Sequence, residues 1–188
     1  MPLPVEIYGS PVLRRVSAPV DIPVSSDIVL FSKKMIAAMR EENGIGLAAP
    51  QVGRNIRLFV IDTRQDDDES AIFRSEGEKQ LSPLMPLALL NAQLTPIGTE
   101  ASKFTEGCLS IPGIDGEVIR PVSVQLKAQL LDGSTVDLPC SGLLARCLQH
   151  ENDHLDGVLF VDRMNPLDRV RVAPKLKSLK RRTLRKAG

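Results

Sequence analysis

The sequence predicts an α+β fold in a single domain, residues 1–188. This length suits one compact domain, and 43% hydrophobic and 25% charged residues are ordinary values for a globular protein. Helical and strand patterns are mixed along the chain without a regular alternation of strand and helix, which favours α+β over α/β. Only 3% of the residues are aromatic, so the predicted core is mainly aliphatic.

Composition and charge exclude several classes of protein. The net charge of +1 predicts no general attraction to DNA or to membranes, and no stretch approaches the length of a membrane span. The N-terminus has neither the basic region nor the apolar run of a signal peptide. The 3 cysteines are far apart and do not indicate a disulfide framework. We therefore expect a cytoplasmic protein.

The first half of the chain contains one helical pattern and one strand pattern. A helix is predicted over 26–42, capped by Ser26 or Asp27 and ended by the NGIG segment. A buried strand is predicted at 56–63, followed by an exposed insertion loop over 64–90. Apolar residues recur at helical spacing within the first helix: Ile28, Phe31, Met35, Ile36 and Met39.

The second half begins with a β-hairpin. Residues 123–139 alternate between apolar and polar, and Asp132-Gly133 is a hairpin turn signal. A helix capped by Ser141 is predicted to run through GLLARCLQHENDHL and to stop near Gly157. One face of the hairpin is apolar: Val124, Leu126, Ala128 and Leu130.

The C-terminal part is predicted to contain a short strand and a last helix. The strand is VLFVDRM, residues 158–164. The helix begins at Pro174, because proline is favoured at the first position of a helix. Its predicted inner stripe comprises Leu176, Leu179 and Thr183. Residues 174–188 thus form a basic C-terminal helix or tail.

Both histidines of the chain lie in QHENDHLDG, residues 149–157. Residues four apart on a helix share one face, so His150 and His154 can point both imidazoles at one metal ion. Glu151 is rotated to the side, where it can face water on the metal without being a ligand. This H-E-x-x-H pattern supplies two ligands and a general base for hydrolysis. Two unrelated surface histidines would not explain why the only two are clustered.

A catalytic site of this kind needs a third protein ligand. No His or Glu follows His154, and three downstream aspartates remain as candidates: Asp156, Asp162 and Asp168. Cys147 is about 10 Å along the helix from His154, which is too far for both to bind one ion. Cys140 has no evident partner. Cys108 lies on a separate segment and is free to approach from outside the helix.

Three segments, taken together, resemble the peptide deformylase family: GIGLAAPQ (44–51), EGCLS (106–110) and QHENDHLDG (149–157). The resemblance covers about residues 5–165, with 64–90 as a family-variable insertion. It implies one catalytic domain of mixed, mainly antiparallel sheets around a central metal-binding helix, with a C-terminal helix. It also implies the activity of the family, which is removal of the N-formyl group from the N-terminal formylmethionine of newly synthesised proteins, with release of formate.

The resemblance assigns a role to each matched residue. Cys108, His150 and His154 are implied as metal ligands, with water in the fourth position. That water attacks the formyl carbon, and Glu151 acts as general acid/base. Hydrolysis of a formamide needs such a nucleophile at neutral pH, so the chemistry agrees with these roles.

The remaining roles concern the substrate. Gln51 and the backbone N–H of Leu109 are implied as donors that stabilise the oxyanion. Gly46 is implied as a backbone contact, since a residue without Cβ lets a peptide approach as an added strand. The predicted pocket for the methionine side chain is lined by residues near the motifs: Ile45, Leu143 and Cys147.

The ligand set leaves the metal open. Two imidazoles and a thiolate suit Fe(II), Zn(II), Ni(II) or Co(II). The resemblance implies Fe(II) in the cell, with the other ions as substitutes, and it predicts inactivation by oxygen because iron and the thiol are both oxidisable.

Two positions near the motifs have more than one interpretation. Arg146 either reaches the pocket rim or is a surface charge on the helix. In some family members an arginine closely follows the CLSIP segment and helps to bind the peptide. Here that stretch reads GIDGEVIR, with Asp115 in the middle, which puts substrate contacts on that side in doubt. Glu106 and Arg120 are predicted to pair and to brace the cysteine segment.

Residues 175–188 are strongly basic, and no acidic residue follows Asp168. This pattern is typical of a solvated helix face, but it also fits ribosome docking, because rRNA is polyanionic and the nascent substrate emerges from the ribosome. The expected compartment is the bacterial cytoplasm, or an organelle if the source is eukaryotic.

Two other functions compete with deformylation. An H-E-x-x-H endopeptidase is disfavoured because the downstream His or Glu ligand is missing. A noncatalytic metal-binding or ribosome-associated protein is disfavoured because Glu151 is intact.

Overall fold

A computed structural model describes residues 3–64 and 75–187. Two antiparallel sheets and five α-helices make up the part of the chain that is described, which confirms the predicted α+β class. The strands of the larger sheet are β1 (Gly46–Ala48), β2 (Leu58–Ile61), β3 (Leu87–Pro96), β6 (Ser123–Gln129) and β7 (Thr135–Ser141), and they lie side by side in that order. The smaller sheet pairs β4 (Ala101–Gly107) with β5 (Asp115–Pro121).

The helices are distributed around these sheets. They are α1 (Ser26–Glu41), α2 (Glu76–Leu81), α3 (Gly142–Leu155), α4 (Phe160–Arg163) and α5 (Pro166–Ala187). Short 3-10 turns lie at Pro11–Arg14, Ala49–Val52 and Ser82–Leu84. Helix α3 is central, because its buried leucines pack into the core of the larger sheet beside Phe59 and Leu126. Among the described residues, none of the helices combines the length and the apolar character that crossing a bilayer requires.

Helix α1 starts close to the predicted position, but its N-cap is Ser25. The Ser25 hydroxyl accepts a hydrogen bond from the Ile28 N–H at 3.4 Å. The predicted caps Ser26 and Asp27 are wrong because both lie inside the helix, whereas a cap needs the extended backbone that Ser25 has.

The range 64–90 was predicted to be an exposed loop, and residues 65–74 of it lie outside the described residues. The remainder is ordered into α2, a 3-10 turn and the start of β3. A capping box stabilises the N-terminus of α2: the Glu78 carboxylate accepts a hydrogen bond from the Ser75 N–H at 2.9 Å, and the Ser75 hydroxyl accepts one from the Glu78 N–H at 3.3 Å. Whether this range is an insertion relative to the family stays a prediction.

The predicted hairpin and the following helix are present. Strands β6 and β7 pair in antiparallel register around the Asp132-Gly133 turn, and the predicted apolar face of the hairpin is buried or partly buried. Ser141 is the N-cap of α3 by position, but its side chain makes no capping hydrogen bond. The helix ends before Gly157, whose φ of 70° is left-handed and suits glycine.

The predicted strand at 158–164 is wrong, because Phe160–Arg163 forms the short helix α4. Asp162 accepts the Leu159 N–H at 2.9 Å, which starts a helical turn, and only Met164 pairs in a bridge, with Val118. A short apolar run fits a buried helical turn as well as a strand.

Helix α5 begins at Pro166, so the predicted start at Pro174 is also wrong. Asn165 accepts the Asp168 N–H at 2.9 Å and caps the helix, while Pro174 is exposed inside it. Leu176 and Leu179 are buried as predicted, and Thr183 is half-buried. Val172, Leu176 and Leu179 pack α5 against the N-terminal segment around Leu13.

Candidate metal centre

Cys108, His150 and His154 converge in the cleft between the two sheets. One donor atom from each of these residues lies within 4.8 Å of the other two, and Cys108 Sγ is 3.3 Å from His154 Nε2. A tetrahedral ion bonded to sulfur and imidazole separates its ligand atoms by roughly 3.3–3.6 Å. The three side chains therefore fit one divalent metal ion.

The secondary structure accounts for this convergence. The two histidines lie one turn apart on α3, with ring centroids 5.1 Å apart. Cys108 directly follows the last residue of β4, and its carbonyl accepts the Ile111 N–H at 2.9 Å in a tight turn. The site is thus assembled from a helix on one sheet and a strand end on the other.

The three downstream aspartates are engaged elsewhere. Asp156 pairs with Arg57 at 2.7 Å, Asp162 with Arg14, and Asp168 with Arg171 at 3.1 Å. Among the described residues, the group with suitable spacing for a metal includes Cys108 and none of these carboxylates.

Glu106 orients His150 from behind. Its Oε2 lies 3.0 Å from His150 Nδ1, which directs the Nε2 atom of the ring towards the site. The predicted pair with Arg120 is present, at 2.7 and 2.9 Å. Unlike a surface pair, both side chains are buried. Burial opposes ionisation, but hydrogen bonds from Arg120 and His150 hold the pKa of Glu106 well below its usual range.

A second buried carboxylate extends this network. Asp153 accepts hydrogen bonds from Arg120 at 2.7 Å and from Arg163 at 2.5 and 2.6 Å. Asp153 and Arg163 were not predicted from the sequence. The available signal was an acidic residue three positions after His150 on the predicted helix.

His154 is almost fully buried, at 1% exposure. Burial, and then the nearby His150, lower the pKa of His154 well below its ordinary value. The neutral imidazole is the form that binds metal. Among the described atoms, His154 Nδ1 finds no hydrogen-bond partner.

Glu151 is a buried carboxylate beside the three candidate metal ligands. Burial raises its pKa to about 7, against the opposing effect of His150. Its Oε2 has no hydrogen-bond partner in the described part of the chain. A Cβ on Gly46 would overlap Glu151 Oε1 and crowd Cys147 Sγ, so glycine is required at position 46 to make room for this carboxylate. From the sequence, we expected glycine at position 46 to let a peptide backbone approach. The structure adds a second reason, which is space for the Glu151 carboxylate.

Gln51 is held in one orientation. Its Oε1 accepts the Ala48 N–H at 2.8 Å, so its Nε2 faces the site, 3.4 Å from Cys108 Sγ and 3.3 Å from Ser110 Oγ. The amide is 1% exposed. A fixed donor next to the candidate metal ligands can therefore reach the oxygen of a bound molecule without rearrangement.

A cavity of about 550 Å³ opens next to these groups. It brings together the predicted pocket residues Ile45, Leu143 and Cys147, and Leu109 and Asp115 also line it. Burial raises the pKa of the Cys147 thiol, whose Sγ lies 3.5 Å from the Ile45 carbonyl, so it is a packing group rather than a ligand.

Arg146 reaches the cavity wall, which decides between its two interpretations. Its guanidinium contacts Glu106 at 3.0 Å and the ring centroid of Phe104 at 5.6 Å. The side chain is 11% exposed, so it is not a solvated surface charge.

The site combines a cysteine that follows β4 with two histidines of α3, and a buried glutamate lies between the histidines in sequence. This combination beside a cavity is typical of the metal centre of a hydrolase. The sequence agrees with this class, because residues 2–170 match the family model described as polypeptide deformylase. A peptide deformylase of Opitutus terrae is 39% identical over 95% of this chain and 93% of its own length. One from Acinetobacter baumannii (strain SDF) is 38% identical over 95% and 92%.

Solved structures agree with the fold. The peptide deformylase of Thermotoga maritima superimposes with a TM-score of 0.75 at 34% identity, covering 88% of this chain and 99% of its own. Peptide deformylase 1B of Arabidopsis thaliana gives 0.81 at 32% identity, covering 99% and 93%. The chain belongs to the polypeptide deformylase family, whose members are metal-dependent hydrolases that remove the N-formyl group from nascent peptides.

Proposed function

We propose that this protein deformylates N-formylmethionyl nascent peptides at a metal held by Cys108, His150 and His154. The observation that carries the proposal is the position of Glu151. It is a buried carboxylate with a raised pKa, and one of its oxygens has no hydrogen-bond partner among the described residues; it lies next to three converging candidate ligand atoms. A purely structural metal site needs no such group.

The roles of the protein groups follow from their positions. When bound, a divalent metal acts as a Lewis acid and lowers the pKa of water to near neutrality. Glu151 accepts a proton from the attacking water and then delivers it to the nitrogen of the leaving amine. Gln51 Nε2 and the backbone N–H of Leu109 donate hydrogen bonds to the formyl oxygen as it gains charge.

The peptide is proposed to add to the free edge of β1. This strand is the outer member of the larger sheet in the described residues. The Ile45 carbonyl accepts the Asp62 N–H at 2.8 Å and so faces β2. Backbone groups alternate along a strand, so the N–H and C=O of Gly46 face away, towards the cleft. A substrate strand can pair there, with its methionine side chain among Ile45, Leu143 and Cys147.

Activity on a short formyl-Met peptide, measured as formate release, tests the proposal. Wild-type protein should release formate, and an unformylated peptide with an internal bond should remain intact, which excludes the endopeptidase. Cys108→Ala should lose bound metal and activity together. Full activity of Cys108→Ala after metal removal and dialysis would contradict the ligand assignment.

Fe(II) is the proposed metal in the cell, and Zn(II), Ni(II) or Co(II) are proposed substitutes. The mixed thiolate and imidazole set suits all four ions. Anaerobic purification followed by elemental analysis tests the identity, and activity of the same sample before and after air exposure tests the oxidation. Iron content without oxygen sensitivity would contradict the predicted inactivation.

Ribosome contact is proposed for the basic residues of 175–188, in a bacterial cytoplasm or in an organelle. Lys177, Arg181 and Arg185 are exposed and lie at four-residue intervals on α5. Deleting the segment would also remove the buried Leu176 and Leu179, so charge neutralisation is the cleaner test. A variant with Lys177, Arg181 and Arg185 all changed to glutamine should bind ribosomes more weakly, and its binding should depend less steeply on salt. It should hydrolyse a short formyl peptide at the wild-type rate. Unchanged ribosome affinity would contradict the contact.

A further inference from the structure

Arg146 joins α3 to the smaller sheet through contacts along both strands. Its Nη1 donates to Glu106 Oε1 at 3.0 Å and to the Val118 carbonyl at 3.1 Å. Its Nη2 donates to the carbonyl and the hydroxyl of Ser102, both at 2.9 Å. Its guanidinium also lies 5.6 Å from the ring centroid of Phe104 on β4. One helix residue therefore contacts β4 near both ends and β5 in the middle.

This connection matters because the proposed ligands belong to different parts of the fold. His150 and His154 lie on α3, which packs into the core of the larger sheet, whereas Cys108 continues from β4 of the smaller one. The distance between thiol and imidazoles therefore depends on how β4 is held against α3. Arg146 lies one turn before His150, on the stretch of α3 that faces β4.

Other groups also hold the smaller sheet, but they do not line the cavity. Arg120 pairs with Glu106 and Asp153 behind His150, and Gln149 Nε2 donates to the Pro121 carbonyl at 3.0 Å. Arg146 differs because it lies in the cavity wall beside Leu143. It therefore contacts the carboxylate that orients His150 and also bounds the space proposed for the substrate side chain.

We propose that Arg146 is a positioning residue that keeps the Cys108 segment aligned with the two histidines and fixes the end wall of the substrate pocket. The inference rests on the proposed function, since it takes Cys108, His150 and His154 as the ligands. It predicts that loss of the guanidinium weakens metal binding even when the protein remains folded.

Arg57 provides a matched control. It also attaches α3 to a sheet, since it donates to Asp156 at 2.7 Å, to Asn152 at 3.2 Å and to the Ala92 carbonyl of β3 at 3.3 Å. Its side chain is 19% exposed, close to the 11% of Arg146. However, Arg57 binds the larger sheet and does not line the cavity. A variant at Arg57 thus loses a comparable helix-to-sheet contact without changing the position of the cysteine segment.

The experiment compares Arg146→Met and Arg57→Met, in which methionine keeps part of the packing of the stem. Thermal unfolding of the metal-free proteins, Zn(II) affinity by chelator competition, and kcat and KM at saturating metal are measured for both. Both variants should unfold at lower temperature than wild type. Arg146→Met should bind Zn(II) about 10–100-fold more weakly, as loss of an outer hydrogen-bond partner of a metal site commonly does. Its KM should rise by a larger factor than its kcat falls.

Arg57→Met should bind Zn(II) like wild type. If Arg146→Met also binds Zn(II) like wild type while unfolding at a lower temperature, Arg146 has a structural role only and the inference is wrong. If Arg146→Met does not fold, Arg146→Lys keeps the charge without the planar fork, and normal Zn(II) affinity in that variant would overturn the inference equally. Wild-type protein that binds metal but does not deformylate would contradict the proposed function, whereas the affinity comparison would still decide the role of Arg146.

Discussion

Helices α3 and α5 are both rich in polar residues but place them in opposite ways. In α5 the buried positions among the described side chains are the apolar Val172, Leu176 and Leu179, and the lysines and arginines are exposed. In α3 the buried positions include two carboxylates and an imidazole: Glu151, Asp153 and His154. Burial of such groups is costly unless they are paired or perform chemistry. Packing therefore accounts for the buried side chains of α5, whereas the buried side chains of α3 require a function.

The largest expected effect concerns Glu151. Glutamine has nearly the same shape but cannot accept and deliver a proton, so Glu151→Gln should lower kcat by about 10²–10⁴-fold while the protein keeps its metal. Formate release and metal content of the same preparation measure this. If kcat falls by less than ten-fold, Glu151 is not the general acid/base, and catalysis does not explain why this carboxylate is buried in α3.

The next effect concerns Gln51, the fixed amide donor beside Cys108. Gln51→Ala removes an amide held by the Ala48 N–H and aimed at the site. Losing one oxyanion donor should reduce kcat by about 10²–10³-fold, with little change in KM. Kinetics at several substrate concentrations separate the two parameters. A change confined to KM would indicate substrate binding instead.

The corresponding change in α5 should affect stability alone. Leu176 is 8% exposed and packs against the N-terminal segment, so Leu176→Ala should lower the free energy of unfolding by roughly 2–3 kcal/mol. Urea denaturation measures the loss, and kcat/KM below the unfolding transition should equal that of wild type. Reduced kcat/KM in the folded variant would show that α5 influences the site, and the contrast between the helices would fail.

The smallest effect is expected on the exposed side of the same helix. Arg181→Gln removes a solvated charge, and surface substitutions of this kind change unfolding free energies by no more than about 0.5 kcal/mol. The same denaturation experiment checks it. A loss as large as that of Leu176→Ala would place Arg181 in an interaction within the fold.

Local patterns in the sequence predicted much of the fold. The apolar periodicity of α1 and the alternation of the hairpin from β6 to β7 each depend on residues a few positions apart, and both elements were found. The errors arose where local signals were ambiguous. VLFVDRM is a short apolar run that suits a strand or a helical turn, and Pro174 resembled a helix start although Asn165-Pro166 supplies the real one.

The site was predictable to the extent that its chemistry is local. The spacing of His150 and His154 indicated a metal without any structure, because helical geometry alone brings them together. The pair of Glu106 with Arg120 was predicted, but the contacts of Asp153 with Arg120 and Arg163 were not, because periodicity does not reveal which arginine meets which carboxylate. The contact of Arg146 with Glu106 was not predicted for the same reason. The role of Gly46 was hidden for the same reason, since Glu151 approaches it only in the folded chain.

The carboxylate of Glu106 accepts four hydrogen bonds: two from Arg120, one from Arg146 and one from His150. Aspartate would be one methylene too short to reach all of them, and glutamine would present N–H groups to partners that are themselves donors. Neither aspartate nor glutamine can therefore replace Glu106 and keep all four hydrogen bonds. A redesign of this cleft that changes Glu106 must therefore also change His150, Arg120 and Arg146, because all three bond to the same carboxylate.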